Sequence, residues 1–387
     1  MNELFDAVQL RRGTDCVKWD TPADADVLPM WVADMDFRTA PAIVDAVVRR
    51  AEQGIYGYTK VPEAYYRAIV GWFERRHDWH IEPEWIVYTT GVVPAVSAVI
   101  KALTHPGDRV IIQPPVYNCF YSSIRNNGCE ASLNPLQQVD GRFVIDFDDL
   151  EVKAADPRAR VLLLCNPHNP VGRLWTPEEL RRVGDICSRH DVTVVADEIH
   201  CELTRPGTDY TPFAALSPEF QNRAVVCNSP SKAFNLAGMQ TANIIAADPE
   251  LRRRIDRAVN DNEVCDIGPF GVAALIAAYD HGAEWLDVLR AYLWENYRCV
   301  RDFFAAELPD FSIAPLEATY LVWIDCRATG RTSEELAQHL VLECRLMVSP
   351  GTLYGPEGEG FLRLNIACPR TLLTEGLRRL KKGLLGR

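Results

Sequence analysis

The sequence lacks any long run of uncharged residues. Its longest, Trp85 to Ile100, covers about 16 residues and is broken by Gly91 and Pro94, short of the roughly 20 a membrane helix needs. An apolar leader is missing too: Asp6, Arg11 and Arg12 come early, so no signal peptide is expected. There is no excess of positive charge. The net charge of −12 argues against the basic face with which proteins neutralise phosphates, so a nucleic-acid partner is not expected. The twelve cysteines include no C-x-x-C pair. Scattered through mostly apolar segments, as Cys165 and Cys227 are, they read as reduced, buried thiols of a cytoplasmic protein, and no metal site is expected. Internal repeats, low-complexity tracts and Pro/Ser linkers are absent as well.

What is present is the balance of a globular protein, with 48% hydrophobic and 24% charged residues. At 387 residues the chain exceeds one ordinary core and fits a large domain with a smaller one. Short apolar runs alternate with helical patterns through its middle. Strands are predicted at Ile86–Thr90, Arg109–Gln113, Val161–Cys165, Val192–Asp197, Ala224–Asn228 and Ala242–Ala246, nearly continuous in hydrophobicity as strands covered on both faces are. A helix is predicted over Pro177–His190, with Thr176 as N-cap and Glu178 and Glu179 in its first turn. This alternation predicts an α/β fold, a mostly parallel sheet sandwiched by helices. The C-terminal part predicts a smaller α+β domain: a long helix at Glu284–Leu308, strands near Thr319–Asp325 and Phe361–Asn365, and helices at Ser333–Glu343 and Thr371–Leu380. The expected division is an arm and part of the small domain over 1–45, a large domain over 46–284 and a small domain over 285–387.

Four strand ends carry chemistry. Lys232 lies in Asn228-Ser-Pro-Ser-Lys-Ala-Phe-Asn-Leu-Ala-Gly238, a small and mostly uncharged setting. Partial desolvation there lowers a lysine's pKa toward the range useful for Schiff-base chemistry. Ser229 and Ser231 offer hydroxyls to a phosphate. Alone, the segment also reads as a loop with an exposed lysine. Asp197 ends the strand of Val194-Val-Ala-Asp-Glu-Ile-His200, where an open α/β sheet places its ligand crevice. An acid there can pair with a cationic ring nitrogen, as pyridoxal-phosphate enzymes require, or serve as a helix cap. Leu164-Cys-Asn-Pro-His-Asn-Pro-Val-Gly172 carries two amides on a turn. Thr89-Thr-Gly-Val-Val-Pro-Ala-Val96 reads as strand, turn and helix start, a place for an anion or an ordinary connection. Together they place a phosphate cradle, an amide, an acid and a lysine in order.

In that order and spacing the chain resembles the fold-type I pyridoxal-phosphate enzymes of the aspartate-aminotransferase superfamily over nearly its whole length. The resemblance implies that pyridoxal 5′-phosphate is held by Lys232 as a Schiff base, with Asp197 on the pyridine nitrogen and Asn169 on the ring hydroxyl. It assigns the phosphate to Gly91, Val92, Val93, Ser229 and Ser231, and ring stacking to Tyr117. Tyr58, in Tyr56-Gly-Tyr58, would reach the phosphate of a second subunit, so a homodimer with shared sites is expected. Arg363 would grip the substrate carboxylate, a role suited to a bidentate guanidinium.

Two positions depart from the common aminotransferase pattern: His200 stands where a Tyr is usual, and Gln240 where many have an arginine on the phosphate. With Leu28-Pro-Met-Trp-Val-Ala-Asp-Met-Asp-Phe37, Trp19-Asp20 and Phe361-Leu-Arg-Leu-Asn-Ile-Ala-Cys-Pro-Arg370, they are similar to the MalY/PatB branch of carbon–sulfur β-lyases, often called cystathionine β-lyases. That resemblance puts His200 at the cofactor and Trp31, Ala33 and Tyr121 on the substrate side. It implies cleavage of L-cystathionine or a related L-cysteine S-conjugate to a thiol, pyruvate and ammonia. An aminotransferase and a cofactor-bearing regulatory binding protein stay open as other readings.

Overall fold

In the computed structural model, which describes residues 3–261 and 266–386, the large sheet is built from β1 (Ile86–Thr89), β2 (Arg109–Ile112), β3 (Glu130–Leu133), β4 (Ala159–Cys165), β5 (Thr193–Asp197), β6 (Val225–Asn228) and β7 (Ala242–Ile245). Its seven strands run in the order β1-β7-β6-β5-β4-β2-β3. All neighbours are parallel except β7, which is antiparallel to both β6 and β1. The apolar runs have a physical reason. Val161, Leu163 and Cys165 of β4 enter one hydrophobic core, while Leu162 and Leu164 enter the other. Side chains alternate between two faces, and helices cover both. The edge strand β3 is the one the sequence did not announce. Its Glu130 and Ala131 are exposed, so it carries no apolar run, as suits an unpaired edge.

Helix Pro177–Arg189 begins on the expected cap. Thr176 Oγ1 accepts from the Glu179 amide at 3.2 Å, and the Glu179 carboxylate accepts from the Thr176 amide at 2.8 Å. Thr332 and Glu335 repeat this box at helix Ser333–Cys344. The long helix spans Ala283–Glu307 and the last one Arg370–Leu385, beyond the expected Leu380. A second sheet is antiparallel, with β8 (Ser312–Ile313), β9 (Leu321–Asp325), β10 (Ser349–Pro350) and β11 (Phe361–Asn365) in the order β8-β9-β11-β10. Thr319 stays outside β9 because its φ of 73° is incompatible with a strand.

The N-terminal segment joins this smaller sheet region. Leu28–Pro29 pairs in parallel with Leu346–Met347, and the Met30 carbonyl accepts from the Asn365 amide at 2.9 Å. From there residues 31–37 cross to the large sheet. Asp36, 3% exposed, accepts from Lys18 Nζ at 2.8 Å and from Arg11 Nη1 and Trp19 Nε1 at 2.7 Å each. Asn235 fixes the far end: its Oδ1 accepts from the Met35 amide, and its Nδ2 donates to the Met35 and Phe37 carbonyls. Among the described residues, no helix is long and apolar enough to cross a membrane.

Candidate active site

Parallel pairing sets the carboxyl ends of β4, β5 and β6 side by side. Cys165 lies opposite Asp197, and Asp197 opposite Cys227. The loops leaving these ends bring Asn169, Asp197 and Lys232 to one cavity of about 410 Å³, joined by Gly91, Val92 and Val93 from the start of helix Val92–Leu103. Trp31 and Ala33 of the arm and Arg363 of β11 line the same cavity, as do His200, Ser231 and Tyr117. Residues spread over most of the chain thus meet at the strand-end crevice of an open sheet.

Burial is the main electrostatic fact of the site. It pushes the Lys232 amine down to about 8, helped by the nearby Arg363 guanidinium and opposed by Asp34 and Asp197. It pushes Asp197 up to about 6, against the Ile199 amide at 3.2 Å and the charge of Lys232. It drives His200 down to about 3, so the ring is neutral, and its buried Nδ1 has no partner among the described residues. The phenol of Tyr117 is raised by burial and stays protonated. Arg363, 5% exposed, donates from Nη1 to Asn169 Oδ1 at 3.0 Å and from Nη2 to the Trp31 carbonyl at 2.7 Å. Its guanidinium lies 4.7 Å over the Tyr354 ring, and its buried Nε has no partner among the described residues. Asn169 and Arg363 are therefore one unit.

Three expected residues do not line the cavity. Ser229 is buried in the loop itself, donating to the Thr241 carbonyl at 2.7 Å and accepting from the Ser231 amide at 3.1 Å. It shapes the turn that presents Ser231. Tyr121 does not line the cavity; its hydroxyl lies beside Gly355 in the field of Glu357, and Asn118 lines the cavity instead. Tyr121 is in the first turn of helix Cys119–Asn126, and Asn118 is its N-cap residue. Tyr58 is 96% exposed and remote from the cavity of its own chain.

Ser349 and Tyr320 were not foreseen from the sequence. Ser349 and Leu353 line the cavity, and Tyr320 donates to the Ala33 carbonyl at 3.0 Å. None sits in a motif that signals chemistry. Only the small-sheet topology, which sequence pattern leaves undefined, brings them here.

The donor set fits pyridoxal 5′-phosphate. A helix start with free amides and the Ser231 hydroxyl suit a phosphate, and a buried carboxylate suits a pyridinium nitrogen. The orphaned His200 Nδ1 offers a polar atom beside Asp197, and Lys232 offers an amine poised near neutrality. The chain belongs to the aminotransferase class I and II family, which matches it over residues 25–380. It is similar to the cystathionine beta-lyase PatB of Bacillus subtilis, with 44% identity over 384 residues, 98% of this chain and 99% of that one. The MalY protein of Escherichia coli is 34% identical over 382 residues, 96% of each chain. Among solved structures, cystalysin from Treponema denticola, which contains a pyridoxal 5′-phosphate cofactor, superposes with a TM-score of 0.96 at 34% identity over 99% of this chain and 98% of that one.

Proposed function

We propose that this protein is a pyridoxal-phosphate-dependent carbon–sulfur β-lyase acting on L-cystathionine or a related L-cysteine S-conjugate. The observation that carries the reading is the convergence of Lys232, Asp197 and the Asn169–Arg363 pair on one cavity. Elimination is preferred over amino transfer on the strength of the whole-chain likeness to β-lyases.

When bound, the cofactor supplies an electron sink for the pair left by the Cα proton. Lys232 is the residue that holds it, and the same amine, near neutrality by burial, takes the Cα proton as general base. Arg363 binds the substrate carboxylate and fixes the direction of the Cα–H bond. Asp197 would pair with the pyridine nitrogen and favour its protonated form. Val92, Val93 and Ser231 would hold the phosphate, Tyr117 would pack on the ring, and Asn169 and His200 would offer polar atoms to its hydroxyl. Trp31 and Ala33 cover the substrate side. Overall, an S-conjugate and one water give a thiol, pyruvate and ammonia, with one C–S bond broken.

The active unit is a homodimer in which the exposed Tyr58, beside exposed Ile55 and Tyr56, is covered by a second copy and serves its site. Every described cysteine is free, which fits the cytoplasm. Incubation with L-cystathionine tests the reaction. Equal amounts of thiol and pyruvate without added 2-oxo acid are expected. Amino transfer that needs a 2-oxo acid and releases no thiol would overturn the reading.

A further inference from the structure

The arm reaches the cavity through its main chain. The Asp34 amide donates to the Val32 carbonyl at 2.9 Å, a three-residue turn that thrusts the Ala33 carbonyl outward. That carbonyl accepts two hydrogen bonds: from Lys232 Nζ at 2.7 Å and from the Tyr320 hydroxyl at 3.0 Å. Both lone pairs are in use. Tyr320 is fully buried, and its ring stands edge-on to His200 at 6.0 Å. Its own carbonyl accepts from the Ile366 amide at 2.9 Å, which ties it to the β9–β11 ladder. Burial, with Asp34 nearby, keeps its phenol protonated, so the hydroxyl is a standing donor. The neighbouring carbonyls of Trp31 and Asp34 are held by other side chains, Arg363 and Asn365. Among the described residues, Tyr320 and Lys232 alone hold that of Ala33.

We propose that Tyr320 is a positioning residue: its hydroxyl fixes the Ala33 carbonyl on which the Lys232 amine docks when it is free to move a proton. The inference rests on Lys232 being the base. The groups facing that amine are Arg363 from β11, Asp34 from the arm, Asp197 and His200 at the end of β5, and Cys119 beyond Tyr117. Tyr320 adds no charge to this set. By donating to the shared carbonyl it weakens that oxygen as an acceptor for an ammonium. Without the hydroxyl, the carbonyl favours protonated Lys232 more strongly and turns more freely.

Tyr320→Phe keeps the ring and removes only the hydroxyl. With the holoenzyme, α-proton exchange of L-alanine in deuterated buffer reports Cα deprotonation whether or not the enzyme is a lyase, because alanine has no leaving group. The variant is expected to lose about tenfold in the maximal exchange rate with KM little changed, as for a small misplacement of a reacting group. The acid limb of its pH profile moves to higher pH. A readout without turnover is the pH dependence of Lys232 acylation, followed by peptide mass in the full chain before cofactor is added; its midpoint moves up with the limb. Tyr320→Leu must show the same shifts, so loss of the fold in one variant leaves the other. Wild-type limb and midpoint in both, or stability loss alone, would overturn the proposal. Exchange of alanine without thiol release from any S-conjugate would instead sink the lyase reading and leave the role of Tyr320 standing.

Discussion

The two walls of the cavity are made differently. On the large-sheet side, side chains at neighbouring strand ends do the work: Asn169, Asp197 and Lys232 each lie within a few residues of a buried strand. On the other side, the arm offers mostly main chain. Its carbonyls from Trp31 to Asp34 are claimed by Arg363, Ser349, Asn365, Lys232 and Tyr320. The first wall is set by sheet register and survives local change. The second depends on an arm held by hydrogen bonds that compete with the site's own cations, because Lys232 and Arg363 serve both substrate chemistry and the arm. Cofactor binding should thus track the first wall, and substrate handling the second.

Substitutions on each wall can break that division. The largest effect is expected for Lys232→Ala, where holder and base are lost together: thiol release falls by about 10⁴-fold or more, measured under saturating cofactor. Arg363→Lys keeps the charge but loses the planar fork. It should cost about 10²-fold in kcat/KM for the amino acid, carried by KM, with cofactor affinity nearly unchanged. A parallel loss of cofactor would erase the contrast between the walls. Asp36→Asn removes the acid nearest Lys18, itself 1% exposed, and leaves that cation with Asp34 at 3.4 Å. Urea unfolding should report about 3 kcal/mol lost stability, with the arm loosened before the sheet.

The remaining effect concerns pH and needs no substitution. Lys232 acts as base in its neutral form, and burial has brought its pKa from 10.5 down to about 8. Activity should therefore climb about tenfold per pH unit below that value and level off above it, read as kcat against pH. A profile flat from pH 6 to 9 would remove Lys232 deprotonation from the rate.

Legibility followed the same division. Strands β4, β5 and β6 could be placed because both faces are buried and their sequences are continuously apolar. Lys232, Asp197 and Asn169 stood just past them. The arm motif was visible as a motif, but the work of its paired aspartates was not: they hold Arg11, Lys18 and Trp19. Tyr320 and Ser349 stayed hidden, since carbonyl contacts made across 287 and 318 positions leave no local pattern. Tyr121 differs again: the resemblance put it on the substrate side, and Asn118, three residues earlier, lines the cavity instead.

The account stands or falls on Lys232 carrying the cofactor at the meeting point of the two walls. Borohydride reduction of the holoenzyme followed by peptide mass mapping tests this directly. The added mass of reduced cofactor should fall on the peptide containing Lys232 and be absent from Lys232→Ala. The label on another lysine, or on none, would contradict it.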